Sequence, residues 1–248
     1  MNKYADELDL LMKDTLEVTK DINIEIWLEA GTLLGCKRDN DYIPWEKDID
    51  FGSWQHLLSI KKYKKFKKKM IKKKYIISKT GNVVTIRRLG FTCFVDIALY
   101  KKVQNTAIVP LKNISVTNLG KLFERLIILF KSKNISKTLE FHKTNFIKIL
   151  YIIIYFIFVF FTPNVLKKKF IKITKKYLKK NSKDLSWKIP LKFLFKTKKI
   201  KFRNFVVSIP HKSLDYIKFR YGNNWKTPRS DWNQFTEDKS MALVQKNN

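Results

Sequence analysis

The run Asp48-Ile49-Asp50-Phe51-Gly52 constrains the fold more than any other part of the chain. Acid and apolar residues alternate, as they do on a β-strand whose successive side chains point to opposite faces. Ile49 and Phe51 then enter a core, and both carboxylates face one space with Cα atoms roughly 6–7 Å apart. Two bare carboxylates so placed repel unless a proton or a hard cation lies between them. Upstream, residues 24–30 read as a first strand. Gly31 and Thr32 then turn the chain into a short helix, where a glycine lets backbone N–H groups approach a phosphate. A phosphate cradle beside an Asp-x-Asp pair is the layout of nucleotidyl and phosphoryl transfer sites.

Charge separates this segment from the rest. The first fifty residues hold 6 Lys/Arg against 13 Asp/Glu, and the remaining 198 hold 46 against 8, within a net charge of +31. Such a body attracts polyanions: a nucleoside diphosphate, an anionic membrane surface or a nucleic acid. Part of the lysine excess is compositional drift, since Ile, Asn, Phe and Tyr are inflated with it. Drift does not account for the acidic balance of the first fifty residues. Cys36 and Cys93 are too few for a disulfide framework or a zinc site. They read as reduced core residues of a cytosol-facing chain.

Leu8, Leu11, Met12, Leu16 and Val18 recur at near-helical spacing, which predicts an amphipathic helix over 4–21 rather than a leader peptide. Ser53 is positioned to cap a helix reaching about residue 73. Its end carries ten lysines in the fourteen residues 61–74, either a solvated face or a contact for acidic lipid. Strands are predicted at 75–79, 83–88 and 93–100. Asp96, flanked by Val95 and Ile97, needs a partner in a strand interior. A shared metal ion or a salt bridge to Arg87 or Arg88 supplies one.

Residues 105–204 read as an insertion of basic and apolar blocks. Within it, 149–161 (ILYIIIYFIFVFF) is thirteen residues without a charge. As a helix it is about 20 Å long against a hydrocarbon core of about 30 Å. A buried core helix, an interfacial helix bracketed by lysines and a short span all fit it. Residues 205–233 return to the domain as an edge strand, a helix ending at Tyr221-Gly222 and a loop near the site. Residues 234–248 read as a disordered tail. The core is thus 1–104. His56, His142 and His211 share no metal-ligand spacing.

The motif GTLLGCKRDNDYIPWEKDIDFG, residues 31–52, resembles the signature of the LicD/fukutin-related family of the nucleotidyltransferase-like superfamily, with Glu46 where that pattern has aspartate and Lys47 after it. FVDIALYKK, at 94–102, resembles the strand bearing the family's third carboxylate, and FRYGNNWKTP, at 219–228, its closing segment. The resemblance implies an α+β fold: a small mixed β-sheet of nucleotidyltransferase type, flanked by helices, carrying the basic and apolar helical insertion. It also implies an enzyme that transfers phosphocholine or an alditol phosphate from a CDP-linked donor to a hydroxyl of a cell-surface or lipid-linked glycan, such as lipopolysaccharide.

On that reading Asp48, Asp50 and Asp96 hold Mg²⁺, for which Mn²⁺ can substitute, and Gly31 and Thr32 bind phosphate oxygens. Lys37 or Arg38 offsets developing charge. Glu46 or Asp96 takes the proton of the acceptor hydroxyl, and Trp45 and Tyr42 wall the pocket. The expected location is the cytoplasmic side, in peripheral or monotopic contact with an anionic membrane surface. Two other readings share these residues: nucleotidyl transfer to RNA, for which no binding module beyond lysine is present, and a non-catalytic relative that binds a membrane or partner. Nucleic acid is therefore not the expected partner.

Overall fold

The computed structural model describes residues 3–111, 114–115, 119, 122–123, 153, 161–183, 185–234 and 236–243. The chain divides into two units, Met1–Lys112 with Leu185–Val244, and Asn113–Asp184 with Gln245–Asn248. The fold is α+β on a mixed sheet.

In the first unit, helix α1 (Ala5–Asp21) buries Leu8, Leu11, Met12, Thr15, Val18 and Thr19, one stripe at helical spacing. Strand β1 is only Trp27–Leu28. The longer strand expected over 24–30 is cut short because Ala30 takes a left-handed φ of 42° and helix α2 (Ala30–Arg38) begins there. The reversal thus falls at Ala30, and Gly31 lies inside the helix. Strand β2 (Asp48–Trp54) lies antiparallel to β1, with Trp27 opposite Gly52. A Cβ on Gly52 would lie 2.4 Å from the Trp27 indole, so glycine is what lets the buried ring lie across the strand.

Ser53 does not cap a helix. It is the sixth residue of β2, and its hydroxyl donates to the Glu25 carbonyl at 2.7 Å. Pairing with the neighbouring strand continues through Trp54, and Phe51 to Trp54 are all buried. Helix α3 (Ile60–Lys72) is capped by Ser59, whose Oγ accepts from the Lys62 amide at 3.3 Å. It buries Phe66 and Met70 and turns its lysines outward.

Strands β3 (Tyr75–Thr80), β4 (Val83–Arg88) and β5 (Phe94–Val103) follow. The first half of β5 lies between β4, antiparallel, and β2, parallel. Its second half pairs with β6 (Thr106–Pro110) across a tight turn in which Gln104 has a φ of 51°. β6 in turn pairs with β9 (Leu185–Pro190), and β9 with β12 (Met241–Leu243). Residues 106–110 and 185–190 therefore belong to the main sheet, and the inserted unit is narrower than 105–204. β12 likewise adds a strand within the expected disordered tail, of which 244–248 lie outside the described residues. After the short helix α5 (Leu191–Leu194), β10 (Thr197–Phe202) and β11 (Phe205–Pro210) form a separate hairpin. Helix α6 (Ser213–Tyr221) ends at Gly222, φ 83°.

In the second unit β7 (Ile114–Ser115) pairs with β8 (Ser182–Lys183), and α4 (Asn164–Asn181) starts after Pro163 as expected. The Phe123 ring meets Tyr177 edge-on at 5.3 Å. Of the apolar run 149–161, all but Ile153 and Phe161 lie outside the described residues. Among the described residues no helix is long and apolar enough to cross a membrane. Cys36 and Cys93 are buried and unpaired with each other. Burial pushes the thiols up to about 11 and about 12, so both stay protonated at neutral pH.

Candidate active site

Strand alternation builds the site. On β2, Ile49 and Phe51 are buried while Asp48 and Asp50 emerge on the other face; on β5, Val95 and Ile97 are buried while Asp96 emerges. The parallel register sets Asp50 directly beside Asp96, at the roughly 4.8 Å spacing of neighbouring strands. Both families of side chains therefore leave the same face of the sheet. Asp48, Asp50, Asp96, Glu46 and Gly31 line one cavity of about 260 Å³, completed by Trp187, Arg220, Tyr221, Trp232 and Gln234.

Helix α2 closes the cavity from one side. The Gly31 amide donates to Asp50 Oδ2 at 3.1 Å, and the Asp50 amide donates to Thr32 Oγ1 at 2.9 Å. A Cβ at Gly31 would lie 2.2 Å from Glu46 Oε2. Glycine here makes room for a carboxylate. Thr32 is buried, and its hydroxyl joins helix to strand instead of facing the cavity.

The rest of α2 sorts by helical geometry. Arg38, seven residues after Gly31, returns to the same face, while Lys37 is displaced by one 100° step. Arg38 lines a second cavity of about 230 Å³ and holds Asp39 at 2.7 Å. Lys37 lines a different one, with Lys198, His211 and Lys212. Trp45, 41% exposed, rims the second cavity, which shares Glu46, Tyr221 and Trp232 with the carboxylate cavity. Tyr42 is a core residue: its hydroxyl donates to Asp9 at 2.9 Å and its ring meets Phe202 edge-on at 5.3 Å. The Lys47 ammonium lies 5.2 Å from the centre of the Tyr4 ring, so that cation points at α1.

All four acids hold protons more tightly than usual. Burial raises Asp50 well above the carboxylate range, with Asp48 and Glu46 adding repulsion. Asp48 is raised by burial and by Asp96. Glu46 is pushed up to about 7 by burial and by Asp48, against the pull of Arg38 and Arg220. Asp96 is raised by burial, opposed by the Thr85 hydroxyl, which donates to it at 2.6 Å, and by Arg87. Arg87 itself stacks on the Phe94 ring at 4.2 Å. Buried oxygen donors that repel one another fit a hard divalent cation. Among the described residues no three acidic, histidine or cysteine groups are already drawn together as a metal cage.

Beneath the cavity lies a network whose pairings no sequence motif foretold. Glu29, 2% exposed, accepts from Trp27 Nε1 and the Tyr100 hydroxyl, each at 3.0 Å, from Arg220 Nη1 at 3.1 Å, and from the Tyr216 hydroxyl. Arg220 also donates to Asp238 through Nε at 3.0 Å and Nη2 at 2.5 Å. Arg220 and Tyr221 lie within the 219–228 segment already singled out, and Tyr216 stands four residues before Arg220 on one helix face. Trp187, Trp232, Gln234 and Asp238 carried no local signal, because they arrive from distant strands and from the tail.

Residues 23–108 match the family model described as LicD/FKTN/FKRP, nucleotidyltransferase domain. Over that segment, about a third of the chain, the protein is similar to the nucleotidyltransferase domain of the LicD family. Uncharacterized proteins of Rickettsia prowazekii (strain Madrid E) and Rickettsia typhi (strain ATCC VR-144 / Wilmington) are each 48% identical to it over 50 residues, 20% of this chain and 19% and 16% of theirs. The matches thus span less than a fifth of those relatives. Two solved structures of the antibiotic-resistance factor ANT(2'')-Ia, one in solution and one a crystal complex with adenylyl-2''-tobramycin, superpose with TM-scores of 0.33 and 0.30 at 7% identity. They cover 71% and 69% of this chain and 93% and 96% of their own.

Proposed function

We propose that the protein transfers a phospho-alcohol, phosphocholine or an alditol phosphate, from a CDP-linked donor to a glycan hydroxyl. One observation carries the reading: four raised-pKa carboxylates and a glycine-lined helix start face one cavity inside a LicD-type domain. Asp48, Asp50 and Asp96 would hold Mg²⁺ or Mn²⁺, which when bound neutralises the diphosphate and the departing CMP. Gly31 leaves room for the Glu46 carboxylate beside the start of α2 and holds Asp50 through its amide. Glu46, bordering both cavities, takes the proton of the acceptor hydroxyl as its oxygen attacks the phosphorus bearing the alcohol. The bond from that phosphorus to the CMP oxygen breaks, and CMP leaves with the electron pair. Arg220 supplies the positive charge of the cavity wall. Trp187 and Trp232 narrow it, limiting water that would divert transfer into hydrolysis.

The test is CMP release from CDP-choline, CDP-ribitol and CDP-glycerol, with a membrane-glycan extract as acceptor, for wild type and Asp48→Asn/Asp50→Asn. Divalent-dependent release from one donor, lost in the variant, is the expected result. A parallel arm with nucleoside triphosphates and RNA reads out nucleotidyl transfer; incorporation there with no CMP release would overturn the proposal.

A further inference from the structure

A cavity of about 740 Å³ in the first unit lies apart from the carboxylate site. Pro190, Leu191 and Phe195 form its apolar lining, with Lys192, Lys196 and Lys212 around it. Main-chain bonds hold its rim: the Leu191 amide donates to the Asn105 carbonyl and the His211 amide to the Lys196 carbonyl, each at 2.8 Å. Phe195 is 58% exposed, with the Lys102 ammonium 5.4 Å from the centre of its ring. The smaller basic cavity, lined by Lys37, Lys198 and Asp215, shares His211 and Lys212 with this one.

Among the described residues, the cations of this face have no countercharge beside them. Lys69, Lys73, Arg203, Arg220 and Arg229 are each held by a carboxylate. Among the described residues, Lys192, Lys196, Lys198 and Lys212 are in no ion pair and donate no side-chain hydrogen bond. No carboxylate lines the larger cavity. Unneutralised ammonium groups around an apolar floor match a ligand with an anionic head and a hydrocarbon body. A lone phosphate would leave the floor wet and most of the volume empty, since a cavity of this size accepts a ligand of several hundred Å³.

We propose that this cavity is a membrane-docking site, in which an anionic phospholipid of a bilayer places its headgroup among Lys192, Lys196 and Lys212 while Phe195 and the apolar floor meet its acyl chains. Phe195 would then sit at the lipid interface, as exposed aromatics flanked by lysines do. The inference does not depend on the transfer reaction. The first unit would reach the surface through its own folded residues, whatever the inserted unit does.

Vesicle sedimentation of the full chain tests it, with phosphatidylcholine alone and with added phosphatidylglycerol. Wild type is expected to sediment only with the anionic vesicles. Lys192→Ala/Lys196→Ala/Lys212→Ala should weaken partitioning about a hundredfold, roughly fivefold per lysine, and Phe195→Ala about tenfold. The control Lys61→Ala/Lys64→Ala/Lys68→Ala removes equal charge from the exposed face of α3, and should weaken it less than tenfold. All the altered side chains are exposed, so unchanged circular-dichroism melting is expected to verify the fold. Equal losses in the two triple variants, or no vesicle binding by wild type, would overturn the proposal. Release of the protein by soluble glycerol phosphate would also overturn it, in favour of a free-anion site.

Discussion

Replacing Arg220 by methionine removes the cation on which two elements of the site converge. Its guanidinium makes two hydrogen bonds to Asp238, at 3.0 and 2.5 Å, and one each to Glu29 and the Tyr216 hydroxyl, both at 3.1 Å. The three charged side chains are 3% exposed or less. Methionine keeps most of the volume but leaves Glu29 and Asp238 buried without a countercharge. Breaking a buried pair from one side costs about 3–5 kcal/mol, and for a chain of this size that lowers the melting temperature by about 10 °C. A second readout is catalytic. Arg220 pulls down the pKa values of Asp50 and Glu46, so its loss should shift the acid limb of the activity profile towards higher pH. Thermal unfolding and a pH–rate profile measure the two effects. A loss below about 1 kcal/mol, with an unmoved profile, would refute the placement of Arg220 between two buried acids.

Gly31→Ala should cost little stability, because the clashing atoms belong to the end of the Glu46 side chain, which can swing away. Turnover should nevertheless fall by on the order of 10²–10⁴, the usual contribution of a displaced general base; wild-type turnover in a folded variant would remove Glu46 from the mechanism. Gly52→Ala should behave in the opposite way, since its Cβ would meet the buried Trp27 ring at 2.4 Å. Overpacking of that kind costs about 1–3 kcal/mol, read as a lower urea midpoint. Asp50→Asn should lower turnover on the order of 10²–10⁴ with the fold intact. Stability should also vary with pH without added metal. The folded protein keeps the Glu46 proton up to about 7, against 4.5 for the free side chain. That contribution is whole below pH about 4.5 and lost as pH rises to about 7, a change of about 3 kcal/mol. Mg²⁺ should restore part of it and Glu46→Gln should flatten it; an unchanged slope in that variant would show another group responsible.

What the sequence made legible was local and periodic. The acid–apolar alternation of β2 and β5 foretold which face each aspartate takes, and the GTLLG…DIDFG motif pointed to the family whose domain model covers 23–108. The α1 stripe was readable for the same reason. Where two local patterns competed, the weaker cue misled: Ser53 looks like a cap, but β2 runs through it and Ser59 caps α3. Long-range pairing left no local trace. β6 finds β9 across the whole inserted unit, and three tail residues add β12, too short a segment for alternation to register. The charged network under the site was hidden for the same reason: Glu29 and Asp238 look like ordinary surface acids until Arg220 lies between them.

The most direct measurement is calorimetric titration of CDP into the wild-type protein and into Asp48→Asn/Asp50→Asn, each with and without Mg²⁺, because it needs neither the right alcohol nor the acceptor. Binding that requires both the divalent ion and the two aspartates is the predicted result. Equal binding without the ion, or binding unchanged in the double variant, would contradict a metal-dependent CDP-donor site at these carboxylates.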